Sequence, residues 1–474
     1  MLQTLKNAWN TKEIRSKILF TLFILLLYRV GTVIPVPFVE ANDFAASLSG
    51  TILDYMNVLS GGSLGALTLF ALGVQPYINA SIIIQLLAVV FPKLGELSKN
   101  DKKKMSFITR IVTVILAVIT AIGYYFLLLN SNCLTKAATE SKVSWLYSIV
   151  IILCYIAGAS LIMWLAERIN ERGIGNGISM ILFANIVAAV PSFVYGLVDL
   201  CLTTYGYAQN AWLYGILSTV FSVVFIAFLL VLIAVVIWFT GSERRIPIQY
   251  AKKVVGRKMY GGQSSNLPIK LNMTGVMPII FASSIVSFLP TIFQVCESAG
   301  WISEKETPGW HRFSEIIGAN GVIYPIALFI LIIGFAYFYT QITFDPIEVS
   351  NNLKRQGGAI PGIRQGRPTA EYIKKILSKI TLAGALFLGV IAILPQILGP
   401  HVLKHFFAWI YEGMFVGTIY ESLGATLAQN YATNLVSIFT FGGTTLLIVV
   451  GVAIETFREL EAQLTMRNYK GFLN

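Results

Sequence analysis

His401 and His405 stand four residues apart, the spacing that lets two imidazoles on one helical face share a metal ion. No third ligand follows at motif spacing. Cys133, Cys154, Cys201 and Cys296 are too scattered for a metal or redox set and read as unpaired packing residues. The run Gly173-Ile-Gly175-Asn-Gly177 holds part of a phosphate-cradling pattern, yet it follows a helical stretch instead of a strand and reads as a tight inter-helix turn. The chain contains no GxxxxGK[ST] sequence and no Ser/His/Asp arrangement. It is expected to be no enzyme, to hydrolyse no ATP and to need no cofactor.

The elements that would position any chemistry are membrane spans. Of 474 residues 56% are hydrophobic and 12% charged, with a mean hydropathy of +0.72. Soluble domains carry about twice that charge. Apolar runs long enough to cross a bilayer fall near 18–38, 74–91, 107–129, 146–166, 177–198, 212–239, 273–296, 320–344, 380–399 and 435–455. No small-residue cleavage site follows the first run, so it is expected to remain as a span. Nothing reads as a strand or a soluble domain.

Ionisable groups inside the spans usually mark ion or proton pathways. Here Glu167, Asp199, Asp345 and Glu455 fall at span ends, and only Arg29 lies inside one, where it is expected to snorkel outward or pair with a carbonyl. Such scarcity argues against proton or sodium coupling and suits a passive conduit powered by something else. Apart from Arg29, Lys136, Lys142, Lys305, Arg312 and Lys404, all 35 basic residues fall in one alternate set of segments. The positive-inside rule places that set, with both termini, in the cytoplasm. The stretch 400–434 is apolar in part but contains Glu412 and Glu421, and reads as an external loop with an interfacial helix.

One apolar stretch, residues 59–87, is broken by Gly73, Gln75 and Pro76 and opens with small residues. The piece 64–72 is expected to form a helix about 14 Å long, too short for a hydrocarbon core of roughly 30 Å. Irregular backbone at that depth is tolerated only where protein or a water-filled cavity takes its hydrogen bonds. Two cytoplasmic loops, 241–272 and 345–379, are unusually long and interleave basic residues with Ile246, Ile248, Tyr250 and Tyr260. They read as ordered docking arms for acidic or RNA-rich partners.

The stretches LFALGVQPYINASIIIQLL (69–87), ERGIGNGIS (171–179), RRIPIQYAKKVVGRKMYGGQSSNLPIKLNMTGVMPIIFASSI (244–285), PGIRQGRPTAEYI (361–373) and FGGTTLLIVVG (441–451) closely resemble the SecY family, the central subunits of the bacterial protein-conducting channel. The resemblance runs nearly the full length, in order. It implies an all-α polytopic membrane protein, with ten transmembrane helices in two pseudo-symmetric inverted five-helix halves around a central pore. The halves would be 1–198 and 212–474, joined by an outer hinge loop at 199–211, with a cytosolic tail at 456–474. The loop at 400–434 is longer than typical members have.

Carried over motif by motif, the resemblance implies a pore ring of Val74, Ile78, Leu182, Ile280, Ser284 and Ile448. It implies a plug over about 59–72, including Leu64, Leu67, Leu69 and Leu72, and a lateral gate across which Gln85 and Ser284 are expected to face each other. Arg244, Arg245, Arg257, Lys258 and Arg364 would contact the SecA motor ATPase or ribosomal RNA of the ribosome. Implied partners are SecE and SecG, preproteins with signal sequences, the accessory SecDF and YidC, and membrane lipids. The implied function is translocation of unfolded preproteins across the bacterial inner membrane and lateral release of transmembrane segments into it. The competing readings are a secondary transporter with inverted repeats and a broken helix, and an insertase scaffold without a pore.

Overall fold

In the bilayer every backbone N–H and C=O must be satisfied internally, so apolar runs fold as helices. The computed structural model describes residues 2–41, 44, 48, 52–135, 144–207, 211–250, 253–255, 258–260, 264–298, 308–317, 321, 323–398 and 443–470. The elements begin with α1 (Leu2–Asn10), α2 (Lys12–Gly31), α3 (Ile52–Leu59), α4 (Gln75–Val90), α5 (Pro92–Asn100) and α6 (Lys102–Asn130). They continue with α7 (Ser144–Arg172), α8 (Gly177–Tyr207) and α9 (Ala211–Gly241). Four strands follow: β1 (Glu243–Tyr250), β2 (Lys253–Val255), β3 (Lys258–Tyr260) and β4 (Ser264–Lys270). Then come α10 (Met277–Ser298), α11 (Pro308–Ile317), α12 (Ile323–Thr343), α13 (Pro346–Arg355), β5 (Gly358–Ala359), α14 (Arg367–Ile397) and α15 (Thr444–Lys470).

Each expected span holds a helix: α2, α4, α6 to α10, α12, α14 and α15. Among the described residues six helices are long and apolar enough to cross a membrane, and α4 and the first half of α8 are shorter apolar helices. Most share one core that runs from Ile24 in α2 to Val452 in α15. The turn at 173–176 joins α7 to α8 as expected, and its amides are occupied: Gly175 N donates to Glu459 Oε2 at 2.9 Å and Gly177 N to Asn170 Oδ1 at 2.7 Å.

Several boundaries depart from expectation. The first helix stops at Gly31, not near residue 38, because Pro35 and Pro37 lack the N–H a helix needs. Residues 34–36 run extended instead, bridging Pro35 to Thr68, with Val36 N donating to Leu67 O and Leu69 N to Ile34 O. The expected helix at 64–72 is absent. The helical piece lies earlier, as α3, and 60–74 is a chain of turns in which Gly61, Gly62, Leu67 and Gly73 all take positive φ. The outer hinge expected at 199–211 is helical as far as Tyr207, continuing α8.

Strands, which the apolar pattern did not suggest, build the two long loops. β1 pairs antiparallel with β4 from Glu243↔Lys270 to Gln249↔Ser264, and with β5 through Gln249↔Ala359 and Tyr250↔Gly358, giving the order β4-β1-β5. β2 and β3 form a separate hairpin. The second loop is also largely helical, because α13 and the first turns of α14 occupy it. Sheet and helices close around their own apolar core of Ile246, Ile248, Ile269, Leu353, Ile360, Ile373, Ile376 and Leu377. The two loops are therefore one folded arm.

Candidate functional site

The broken stretch supplies the centre. α3 is short, with Asn57 near its end, and Asn57 Oδ1 reaches forward to accept from Gly65 N at 2.8 Å. Ser60 Oγ accepts from Leu64 N, Ser63 Oγ donates to Ser60 O, and Thr68 Oγ1 donates to Ser63 O. These local bonds satisfy backbone that has left the helix ladder. The segment is far from loosely packed: Leu64, Leu67, Phe70, Ala71 and Leu72 are buried and Leu69 is half-buried against the same core. Phe70 stacks on Tyr28 with centroids 5.3 Å apart, and the Leu69 carbonyl presses on Gly158 of α7, where no side chain fits.

Walls from both halves surround this segment. Asn185 of α8 donates from Nδ2 to Leu59 O at 2.8 Å. Thr291 of α10 donates to Met56 Sδ at 3.4 Å, and Thr444 of α15 lies 3.4 Å from the Tyr55 hydroxyl. Val74, Ile78, Leu182, Ile280 and Ile448 are all buried in the core that also contains Leu64, Leu67 and Leu72, and Ser284 is buried with them on α10. Ile186, one turn beyond Leu182 and equally buried, belongs to the same core. Its four-residue spacing on α8 was the available signal.

α10 packs against α4 and α6, and the polar links along that seam differ from the expected pair. Gln85 uses both ends of its amide elsewhere: Nε2 donates to Ser81 at 2.9 Å, and Oε1 accepts from Tyr339 of α12 at 2.8 Å. Gln75 instead donates to Ser287 of α10 at 3.1 Å. The Gln75–Ser287 contact ties the start of α4 to the middle of α10. Gln85 lies ten residues, about 15 Å, further along α4, while Ser284 is only one turn from Ser287. Neither hydrogen bond of the Gln85 amide is to Ser284. Gln75 and Tyr339 were visible in the sequence as polar groups within apolar runs, the usual material of interhelical contacts.

On the arm, strand alternation points Ile246 and Ile248 inward and Arg245 outward, where it bonds Glu243 at 2.7 Å, while Arg244, near the open start of β1, is exposed although it shares the face of the two isoleucines. Arg364 is exposed on the turn before α14. Ser350 donates to Gly366 O at 2.7 Å, Gln365 to Gly358 O at 3.1 Å, and Thr369 to the carbonyl of Arg364 itself at 2.8 Å. Among the described residues no carboxylate pairs with it. Lys258 opens β3, whereas Arg257 lies outside the described residues, as does the loop 400–434. At the arm's base, burial and then the nearby Arg458 push the Lys270 ammonium below the ordinary lysine range, opposed in part by Glu243.

Ionisable groups are spent structurally. Glu167 is buried at the end of α7 and held by Arg110, with Nη2–Oε2 at 2.7 Å, and by Ser106 at 3.1 Å. A polytopic helical protein built around an enclosed broken segment, with no buried charge relay among the described residues, belongs with the membrane channels. A family model described as SecY matches residues 68–457. Proteins named protein translocase subunit SecY are 37% identical in Streptomyces galbus, over 492 aligned residues, and 39% in Mycobacterium bovis, over 487, each covering 100% of both chains. A solved structure described as that of a protein conducting channel superposes with a TM-score of 0.58 at 17% identity, over 94% of this chain and 92% of that one. Sec61 in the canine ribosome-channel complex gives 0.54 at 16%, with the same coverage. The chain belongs to the SecY family of protein translocase subunits: it is a multi-pass membrane protein that serves a protein-translocation channel.

Proposed function

We propose that this subunit is the central pore of a bacterial translocase in the cytoplasmic membrane, with both termini in the cytoplasm. It passes unfolded preproteins outward and releases transmembrane segments sideways between α4 and α10. Val74, Ile78, Leu182, Ile280, Ser284 and Ile448 form the constriction, residues 59–72 the plug beneath it, and Gln85 and Ser284 stand on the gate helices. A narrow aliphatic collar makes ion passage costly by dewetting, yet yields around a chain without offering it a specific hydrogen bond. The observation that carries the reading is the shared burial of the five collar aliphatics with Leu64, Leu67 and Leu72, around an α3 bonded to helices of both halves.

The exposed arginines of the arm serve the SecA motor and the ribosome. A ribosome complex is named for the canine Sec61 neighbour, and basic surfaces bind phosphate without sequence preference. SecE clamps the two halves, SecG completes the channel, and SecDF and YidC act as accessories. The secondary-transporter reading is not favoured, since Glu167 is neutralised by Arg110 instead of lining a path. Ile78→Gly or Ile280→Gly in the reconstituted channel complex is expected to raise resting chloride leak severalfold. Unchanged leak in both variants, with the complex intact, favours a scaffold without a sealed pore.

A further inference from the structure

Arg29 is charged, lies within α2, and has no carboxylate partner among the described residues. Its Nη1 is buried and takes no hydrogen bond, and the same holds for Asn185 Oδ1 on α8. The two atoms converge on one place: a Cβ on Gly61 would stand 2.7 Å from the guanidinium nitrogen and 2.9 Å from the amide oxygen. Gly61 takes φ +70, so its backbone conformation and its surroundings both require glycine. The other end of the Asn185 amide is committed, donating to Tyr28 Oη at 2.9 Å and to Leu59 O at 2.8 Å. Asn185 is 0% exposed, so these bonds form in a dry site where each is strengthened.

A guanidinium at such depth is costly unless something offsets its charge. The available compensation is the end of α3. Gly61 follows α3 by two residues, so the guanidinium lies at the negative end of that helix's dipole. With the segment seated, Arg29 gains this field and Asn185 gains the Leu59 carbonyl. With the segment gone, both side chains face the space it occupied, and water in an open pore solvates them. The charge therefore favours the seated state only modestly, and the unpaired Nη1 and Oδ1 leave the seat easy to vacate.

We propose that Arg29 and Asn185 form a polar latch that holds the base of the plug at Gly61 and sets how often the resting channel opens. The proposal rests on the plug reading given above. Its test measures single-channel activity and thermal stability of the full channel complex in bilayers. Asn185→Leu removes two hydrogen bonds and is expected to raise resting open frequency about tenfold at unchanged unit conductance. Tyr28→Phe, which keeps the ring stacked on Phe70, is expected to raise it about threefold. Arg29→Gln also leaks, Arg29→Lys leaks less, and Arg29→Gln combined with Asn185→Leu leaks little more than the stronger single change, because both act on one seat. Wild-type open frequency in Asn185→Leu and Tyr28→Phe overturns the latch while the plug stands, provided removal of residues 60–72 opens the channel. If that removal leaves the channel silent, the plug reading fails and the latch with it. A fall in melting temperature with unchanged open frequency assigns the two residues to packing alone and also overturns the proposal.

Discussion

Around the broken segment, Val74, Ile78, Leu182, Ile280 and Ile448 bury aliphatic side chains in a core shared by both halves, and polar groups there pin the backbone and link the helices. In the arm the arrangement is reversed: Ile246, Ile248, Ile269 and Ile373 form a small private core whose purpose is to hold charged side chains out in water. In the proposed function the first region handles a passing chain by offering it nothing specific. In the same reading the second offers a defined array of charge to a partner, and so needs a rigid mount. Because the cores are separate, seal and docking should fail independently.

The comparison breaks most sharply if damage crosses from one region to the other. Ile248→Asp buries an unpaired carboxylate in the arm and is expected to cost about 3 kcal/mol or more locally. Limited proteolysis should then cut within 243–366 and motor-driven export should be lost, while resting ion leak stays at the wild-type level. A leaking Ile248→Asp channel would show that the cores are not separate. Arg364→Glu reverses one exposed charge and leaves the mount intact, so export driven by SecA in proteoliposomes is expected to fall more than about tenfold with an unchanged proteolysis pattern. Gln85→Leu removes the bond from Tyr339, worth about 1 kcal/mol, and should shift export of substrates with weak signal sequences by a few-fold. No shift there would confine gate control to Gln75 and Ser287.

Hydropathy located the spans because lipid imposes helical pairing on any long apolar run. It failed where hydrogen bonds come from elsewhere. Residues 64–72 are apolar enough for a helix, but the positive φ of Leu67, with those of Gly61, Gly62 and Gly73 on either side, and pairing with 34–36 turn them into a braced loop. The strands β1 and β4 do not stand out in the sequence because Pro247 and Pro268 blur their alternation, and because the apolar face they form is covered by residues of α13 and α14 about a hundred positions further on. Functional roles were legible differently again. Ile78 and Ile280 look like any core residue, and only the match of whole blocks to a family singles them out. That Gln85 bonds Tyr339, and Gln75 bonds Ser287, depends on how α4 meets α12 and α10, which no local pattern encodes.

The seam between β1 and β5 has a mechanical consequence. β1 is fixed to the end of α9, β4 leads into α10, and β5 sits between α13 and α14, so two loops that are separate in the chain become one lever with several fulcra. A load applied at the Arg364 turn cannot move one loop alone. It is delivered together to α9, α10, α12 and α14, so in the proposed function a motor gripping a single exposed arginine gains purchase on half of the channel wall.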